Sequence, residues 1–208
     1  MFKVKRLVTG PLQVNTYLLC DTDTLEAIVI DPGGNAGEIH RTIKQLGWKV
    51  SKIVLTHGHG DHIGGVIELQ KLTGAPVAIH EDDAEMLASS RMNFTGMIGG
   101  GVEMKAEELL KDGDTISLGN EKVTVIHTPG HTRGGISLKA GEILFTGDTL
   151  FMQSIGRTDL PGGNHRQLIQ SVREKLMKLE DHVIVYPGHG PESSIGFERT
   201  NNPFLQMG

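Results

Sequence analysis

The sequence predicts an α/β protein built from layered, mixed β-sheets. Short β-branched and apolar runs interleave with helical patterns through both halves of the chain, the arrangement of strands packed under helices. Some neighbouring runs are separated only by turn residues, as in hairpins, so the sheets must mix parallel and antiparallel pairs. Of the 208 residues 38% are hydrophobic, enough for a substantial core, yet no apolar run approaches the roughly 18 residues of a membrane-spanning helix. At about 100–200 residues per domain, one domain over 1–208 is expected.

Taken in order, Lys3–Val8, Thr16–Cys20 and Ala27–Ile30 read as strands, the third stopped by Asp31-Pro32-Gly33-Gly34. Ile39, Ile43 and Leu46 recur at helical spacing, and Gly47 marks that helix's end. Val50–Leu55 is a short apolar strand. Ile63, Val66, Ile67 and Leu69 predict a helix closed near Gly74, followed by a strand at Val77–Ile79 and a helix over Glu81–Ala88. Residues 89–105 are rich in Gly and Met without a period and read as a loop. Strands are predicted at Thr115–Leu118, Val123–His127, Ile136–Leu138, Glu142–Phe145 and His182–Tyr186, with a helix near His165–Leu179.

The net charge is −5, with no Lys/Arg-rich block, which argues against a nucleic-acid partner. Met1–Arg6 is not followed by the apolar segment of a secretory signal. Cys20 is the single cysteine, cannot form an internal disulfide and ends an apolar run, so it reads as a buried structural thiol. A cytoplasmic location without membrane attachment is expected.

The chemistry concentrates in His57-x-His59-x-Asp61-His62, where an apolar strand ends. Imidazole nitrogen and carboxylate oxygen suit Zn²⁺, Fe²⁺ and Mn²⁺. His57 and His59 are two apart and share a side of an extended segment, whereas Asp61 and His62 are adjacent and can diverge toward a second position. Unpaired imidazoles crowded beside a core are costly unless something satisfies them. Three more candidates follow strands and are each preceded by Gly: His131, Asp148 and His189. Strand ends converge on one edge of a layered fold, so these groups can meet in one cleft. His40 and His165 read as helix positions facing water, His182 as opening a strand, and His80 and His127 as strand-end residues that orient others. No Gly-x-Ser-x-Gly elbow is present.

This set resembles the metallo-β-lactamase superfamily, in family order: His57-x-His59-x-Asp61-His62, Gly130-His131-Thr132, Gly147-Asp148-Thr149 and Pro187-Gly188-His189-Gly190. The resemblance implies an αββα sandwich of two mixed sheets with helices outside. Thr56, Gly64-Gly65, Gly156-Arg157-Thr158-Asp159, and Glu198 through Asn202-Pro203-Phe204 look like the short glyoxalase II (hydroxyacylglutathione hydrolase) branch, without its additional C-terminal helical domain. By that likeness His57, His59 and His131 bind one divalent metal ion, and Asp61, His62 and His189 bind a second. Asp148 bridges them, Asp61 orients the nucleophile and Arg157 contacts substrate. Zn is the first choice, with Fe or Mn as alternatives. The implied activity is hydrolysis of a small-molecule thioester of the S-lactoylglutathione type by hydroxide held between the metals.

The main rival is the persulfide dioxygenase pattern, an oxidoreductase with one iron on His57, His131 and Asp148. A lactonase is a third reading. A β-lactamase is disfavoured because zinc β-lactamases commonly place Cys where Asp148 stands and are exported.

Overall fold

The computed structural model describes residues 1–98 and 100–206. Gly99, within the stretch read as loop, and Met207 and Gly208 lie outside the described residues. The first sheet contains β1 (Phe2–Thr9), β2 (Val14–Asp21), β3 (Glu26–Ile30), β4 (Lys49–Val54), β5 (Val77–His80) and β6 (Glu108–Leu110). Its first three strands are antiparallel and the remainder parallel. Between these strands lie α1 (Ala36–Leu46), α2 (Gly60–Ile63), α3 (Val66–Thr73), α4 (Ala84–Leu87) and α5 (Thr95–Ile98).

The second sheet contains β7 (Thr115–Leu118), β8 (Glu121–His127), β9 (Ile136–Ala140) and β10 (Ile143–Gly147). A hairpin of β11 (Leu150–Phe151) and β12 (Ser154–Ile155) follows, then α6 (His165–Ser171). β13 (Ile184–Pro187) and β14 (Ser193–Ser194) complete the sheet, in the order β14-β13-β10-β9-β8-β7, and α7 (Ile195–Asn201) and α8 (Pro203–Gln206) end the described chain.

The layers follow from strand periodicity. Along β2 every residue is buried, and alternate side chains enter different cores. Tyr17 and Leu19 pack inward with Ile28 and Ile30 against Val125, Leu138 and Phe145 of the second sheet. Leu18 and Cys20 point outward, with Val29 and Ile53, beneath Ile39 and Ile43 of α1 and Leu69 of α3. On the far side Leu144 and Val185 pack under Leu168 of α6 and Ile195 of α7. The result is the helix–sheet–sheet–helix sandwich expected, and Cys20 is buried as anticipated, its thiol pushed up to about 11 by that burial.

Several boundaries differ from the sequence reading. The last long strand starts at Ile184 rather than His182, because Glu180 to Val183 closes a turn through Val183 N–H to Glu180 O. The helix from His165 keeps regular pitch only to Ser171. Val172–Leu176 is a wider turn in which Met177 N–H reaches back to Val172 O. Glu81–Ala88 splits into a tight turn over Glu81–Asp83 and the single-turn α4. Residues 89–105 contain the short helix α5. The very short β6, β11, β12 and β14 had no legible pattern, and α7 and α8 were not anticipated.

Candidate metal centre

Two sheets contribute to one site. β4 runs on through Leu55 and Thr56 into His57; His59 precedes α2, and α2 carries Asp61 and His62. In the second sheet β8 and β10 are each antiparallel to β9, and β13 is parallel to β10, so β8, β10 and β13 share one direction. Their C-terminal ends therefore lie along one edge, and there follow His131, Asp148 and His189.

All seven predicted side chains meet at this edge. Ligand-type atoms lie within 4.8 Å of one another in three overlapping groups: His57, His59 and His131; His57, His62 and Asp148; Asp61, His62 and His189. Asp148 sits at the middle of the chain of groups. Its Oδ1 is 3.3 Å from His62 Nε2, and its Oδ2 is 3.6 Å from His131 Nε2 and 3.8 Å from His189 Nε2. His59 Nδ1 approaches His131 Nε2 at 2.9 Å, and Asp61 Oδ2 lies 3.0 Å from His189 Nε2. Glycine permits the closeness. A Cβ on Gly188 would overlap Asp148 Oδ1, and Gly147, at φ +48°, turns the chain against Thr56 just before Asp148.

The hydrogen bonds orient the rings. Thr56 Oγ1 donates to Asp31 Oδ2 at 2.6 Å, so it accepts from His57 Nδ1 at 3.1 Å. His62 Nδ1 donates to Asp31 Oδ2 at 2.9 Å, and His131 Nδ1 donates to the Arg157 carbonyl at 2.7 Å. With Nδ1 carrying the donated proton, each Nε2 turns to the cleft. Nε2 of His57, His59 and His62 and Oδ1 of Asp148 are buried with no hydrogen-bond partner among the described residues. Buried polar atoms without partners are costly, and convergent imidazole and carboxylate donors fit divalent cations.

Electrostatics agrees with that fit at His57 and His59. Burial, reinforced by neighbouring imidazoles, drives His57 well below its usual range and His59 down to about 3, which keeps both neutral with lone pairs available. Burial also opposes charge on His62, but the carboxylates of Asp148, Asp31 and Asp61 outweigh it and raise His62 well above its ordinary value. Burial tends to raise Asp61 and Asp148, yet His62 and the other imidazoles hold both carboxyls below the usual carboxylate range.

Two residues that sequence reasoning missed support the cluster. In sequence Asp31 is only a strand stop. It sits buried at φ +50° and accepts from Thr56 N–H at 2.7 Å as well as from the two side chains above. Asp83, fully buried, accepts from Gly58 N–H at 3.0 Å, Thr132 Oγ1 at 2.7 Å and Gly134 N–H at 2.6 Å. It thereby ties the His57–His59 turn to the residues following His131. The only sequence signal for Asp31 was its position at a strand end; Asp83 had none.

Arg157 is exposed, lines the cleft and forms a 2.8 Å two-pronged pair with Asp159. His80 and His127 stack at 4.0 Å between ring centroids, but His80 Nδ1 accepts from Asp82 N–H and His127 Nε2 donates to the Arg133 carbonyl. Those nitrogens are already engaged, which fits a supporting stack.

A sequence model of the metallo-beta-lactamase superfamily matches residues 9–189, a span that contains all seven clustered side chains. The chain belongs to this superfamily.

Among superfamily relatives, the probable metallo-hydrolase YqgX of Bacillus subtilis is 39% identical over 207 residues, covering 98% of this chain and 97% of that protein. The hydroxyacylglutathione hydrolase GloC of Haemophilus influenzae is 36% identical over 199 residues, 93% of each. Solved structures are similar as well. BLEG-1, described as a B3 metallo-beta-lactamase, superposes with a TM-score of 0.92 at 38% identity over 99% of both chains. A di-iron-bound form of TTHA1623 gives 0.87 at 31% identity, covering 97% of this chain and all (100%) of that one. ETHE1 from Myxococcus xanthus gives 0.80 at 30%, covering 97% and 83%. For a superfamily member with only His and Asp donors here, divalent cations are the fitting occupants, and the donor set alone does not choose among Zn, Fe and Mn.

Proposed function

We propose that the protein is a two-metal thioester hydrolase acting on substrates of the hydroxyacylglutathione type. The observation that carries this is Asp148, whose oxygens face His131, His62 and His189 from between two complete ligand groups. His57, His59 and His131 would hold one ion, and Asp61, His62 and His189 the other, with Asp148 common to both. The likeness to GloC supports the choice of substrate class.

Such a pair supplies a Lewis acid for the carbonyl and ionised water at neutral pH. The chain's own groups do the rest. Asp61, held at 3.0 Å from His189 and largely buried, is an acceptor that orients water toward the carbonyl. The walls formed by Leu12, Phe94 and Leu160 limit bulk water around the reacting bond. Arg157 can exchange its Asp159 partner for an anionic substrate group at the cleft mouth. A thiol of pKa near ~8.5 leaves as thiolate with little need for an acid. The one-iron oxidoreductase reading uses only His57, His131 and Asp148 and leaves the assembled Asp61–His62–His189 group without a task.

The test is metal analysis combined with thiol release from S-lactoylglutathione, run beside oxygen uptake with glutathione persulfide and cleavage of a β-lactam. Thiol release that stops on chelation and returns with two equivalents of Zn, Fe or Mn is expected. Oxygen uptake or β-lactam cleavage without thiol release overturns the reading.

A further inference from the structure

The cleft over the metal centre, about 250 Å³, shares Phe94 and Met97 with a larger neighbouring cavity of about 950 Å³. Met86, Met92 and Pro161 complete most of the wall of the larger space, and Arg91 is the one charged side chain among its described lining residues. Three of the chain's eight methionines therefore gather here. Two of them, Met92 at 47% and Met97 at 82% exposure, leave apolar surface open to water beside a reaction centre. Flexible, polarisable thioethers suit an apolar ligand of variable shape.

The partition between the two spaces is built. Phe94 adopts φ +64°, a conformation uncommon for a bulky side chain, and its ring stands 5.6 Å from that of His59. The neighbouring Asn93, wholly buried, holds the backbone there. Its Nδ2 donates to the carbonyls of Met86 at 3.1 Å and Val102 at 2.9 Å, and its Oδ1 accepts from Thr95 N–H at 2.9 Å and Thr95 Oγ1 at 2.6 Å. The loop that carries the methionines is thus tied across its own base and set against the cleft.

We propose that this methionine-lined groove binds an apolar arm of the substrate, an alkyl or aryl group of several carbons, passing beside Phe94 and Met97 while the reacting carbonyl lies in the cleft. The inference rests on the thioester reading above and narrows it: a substrate bearing such an arm is preferred over the small, polar lactoyl conjugate. A thioester has an acyl arm and a thiol arm, and the groove's chemistry is the same for either.

The test uses the metal-loaded protein labelled with ¹³C at methionine methyls, assigned through Met86→Leu, Met92→Leu and Met97→Leu. It is titrated with straight-chain carboxylates from acetate to octanoate for the acyl arm, and with straight-chain alkanethiols from ethanethiol to octanethiol for the thiol arm. In one series the methyls of Met86, Met92 and Met97 should move while Met152 stays still, and Kd should fall about threefold to fourfold per added CH₂. Met92→Gln should flatten that slope. Affinity independent of chain length in both series, or shifts that spare these three methyls, overturns the groove. Thiol release from S-lactoylglutathione alongside that result leaves the hydrolase reading standing. Chain-length-dependent methyl shifts in a protein that releases thiol from no thioester support the groove and overturn the hydrolase reading instead.

Discussion

The clustered side chains do not stand alone, and Asp83 shows what holds them. It satisfies three donors on two separate loops without touching the cleft. Removing a buried acceptor leaves its donors unpaired at about 1–3 kcal/mol each. Asp83→Ala should therefore lose roughly 3 kcal/mol or more of stability in urea titrations and also bind less metal, as read by elemental analysis. Normal metal content in a folded variant would contradict that tethering role. Asp148→Ala should lose both metal occupancy and thiol release; wild-type turnover would remove Asp148 from the centre of the mechanism. The seven clustered residues were legible because imidazoles and carboxylates at strand ends behind glycines are hard to explain as turns. Asp31 and Asp83 were not, because an aspartate that accepts backbone hydrogen bonds looks in sequence like any turn aspartate.

At the scale of elements, the strands serve as levers for the loops they release. β2 belongs to the first sheet, yet it fixes the loop of His189 in the second. Asn15 Nδ2 donates to the carbonyls of Pro187 and Gly190, both at 2.9 Å, and Tyr17 Oη donates to Pro187 O at 2.7 Å. Asn15→Ala should weaken binding of the second metal equivalent more than the first, by calorimetric titration; equal loss at both would refute a selective role. The far end of β2 gives a pH prediction. Asp21 is held down to about 2, chiefly by the Asn120 N–H of the β7–β8 turn, with the Asp23 N–H, Thr24 and the N-terminus adding to it. A depressed carboxyl stabilises the fold above its unfolded value of about 3.9, and that contribution fades as pH falls toward 2. Asp21→Asn should thus lower Tm at neutral pH, with the gap closing in acid; a gap unchanged at pH about 3 would break the assignment. Long strands and α1 were legible through periodicity. Two-residue strands such as β11 and β14 were not, since so few residues cannot display a period and their pairing is set by neighbours.

For the molecule as a whole, strand alternation foretold two buried faces but not sheet order, because parallel crossovers are decided by tertiary packing. The family motifs supplied the sandwich that periodicity left open. Metal bound only by the folded state adds stability by mass action, about 4 kcal/mol for an ion at a thousand times its Kd. Chelation should lower Tm and reloading restore it; identical melting with and without metal would argue against tight binding by the folded chain.

His57, His59, Asp61 and His62 hang from one sheet, whereas His131, Asp148 and His189 hang from the other. An ion gripped by both sets would act as a rivet through the two plates, adding to the greasy contact and the few hydrogen bonds, such as Asn15 to Pro187, that already join them. Slippage between the plates should become rarer on loading, so amide protons deep in β2 and β10 should slow their exchange together, although those strands belong to different plates.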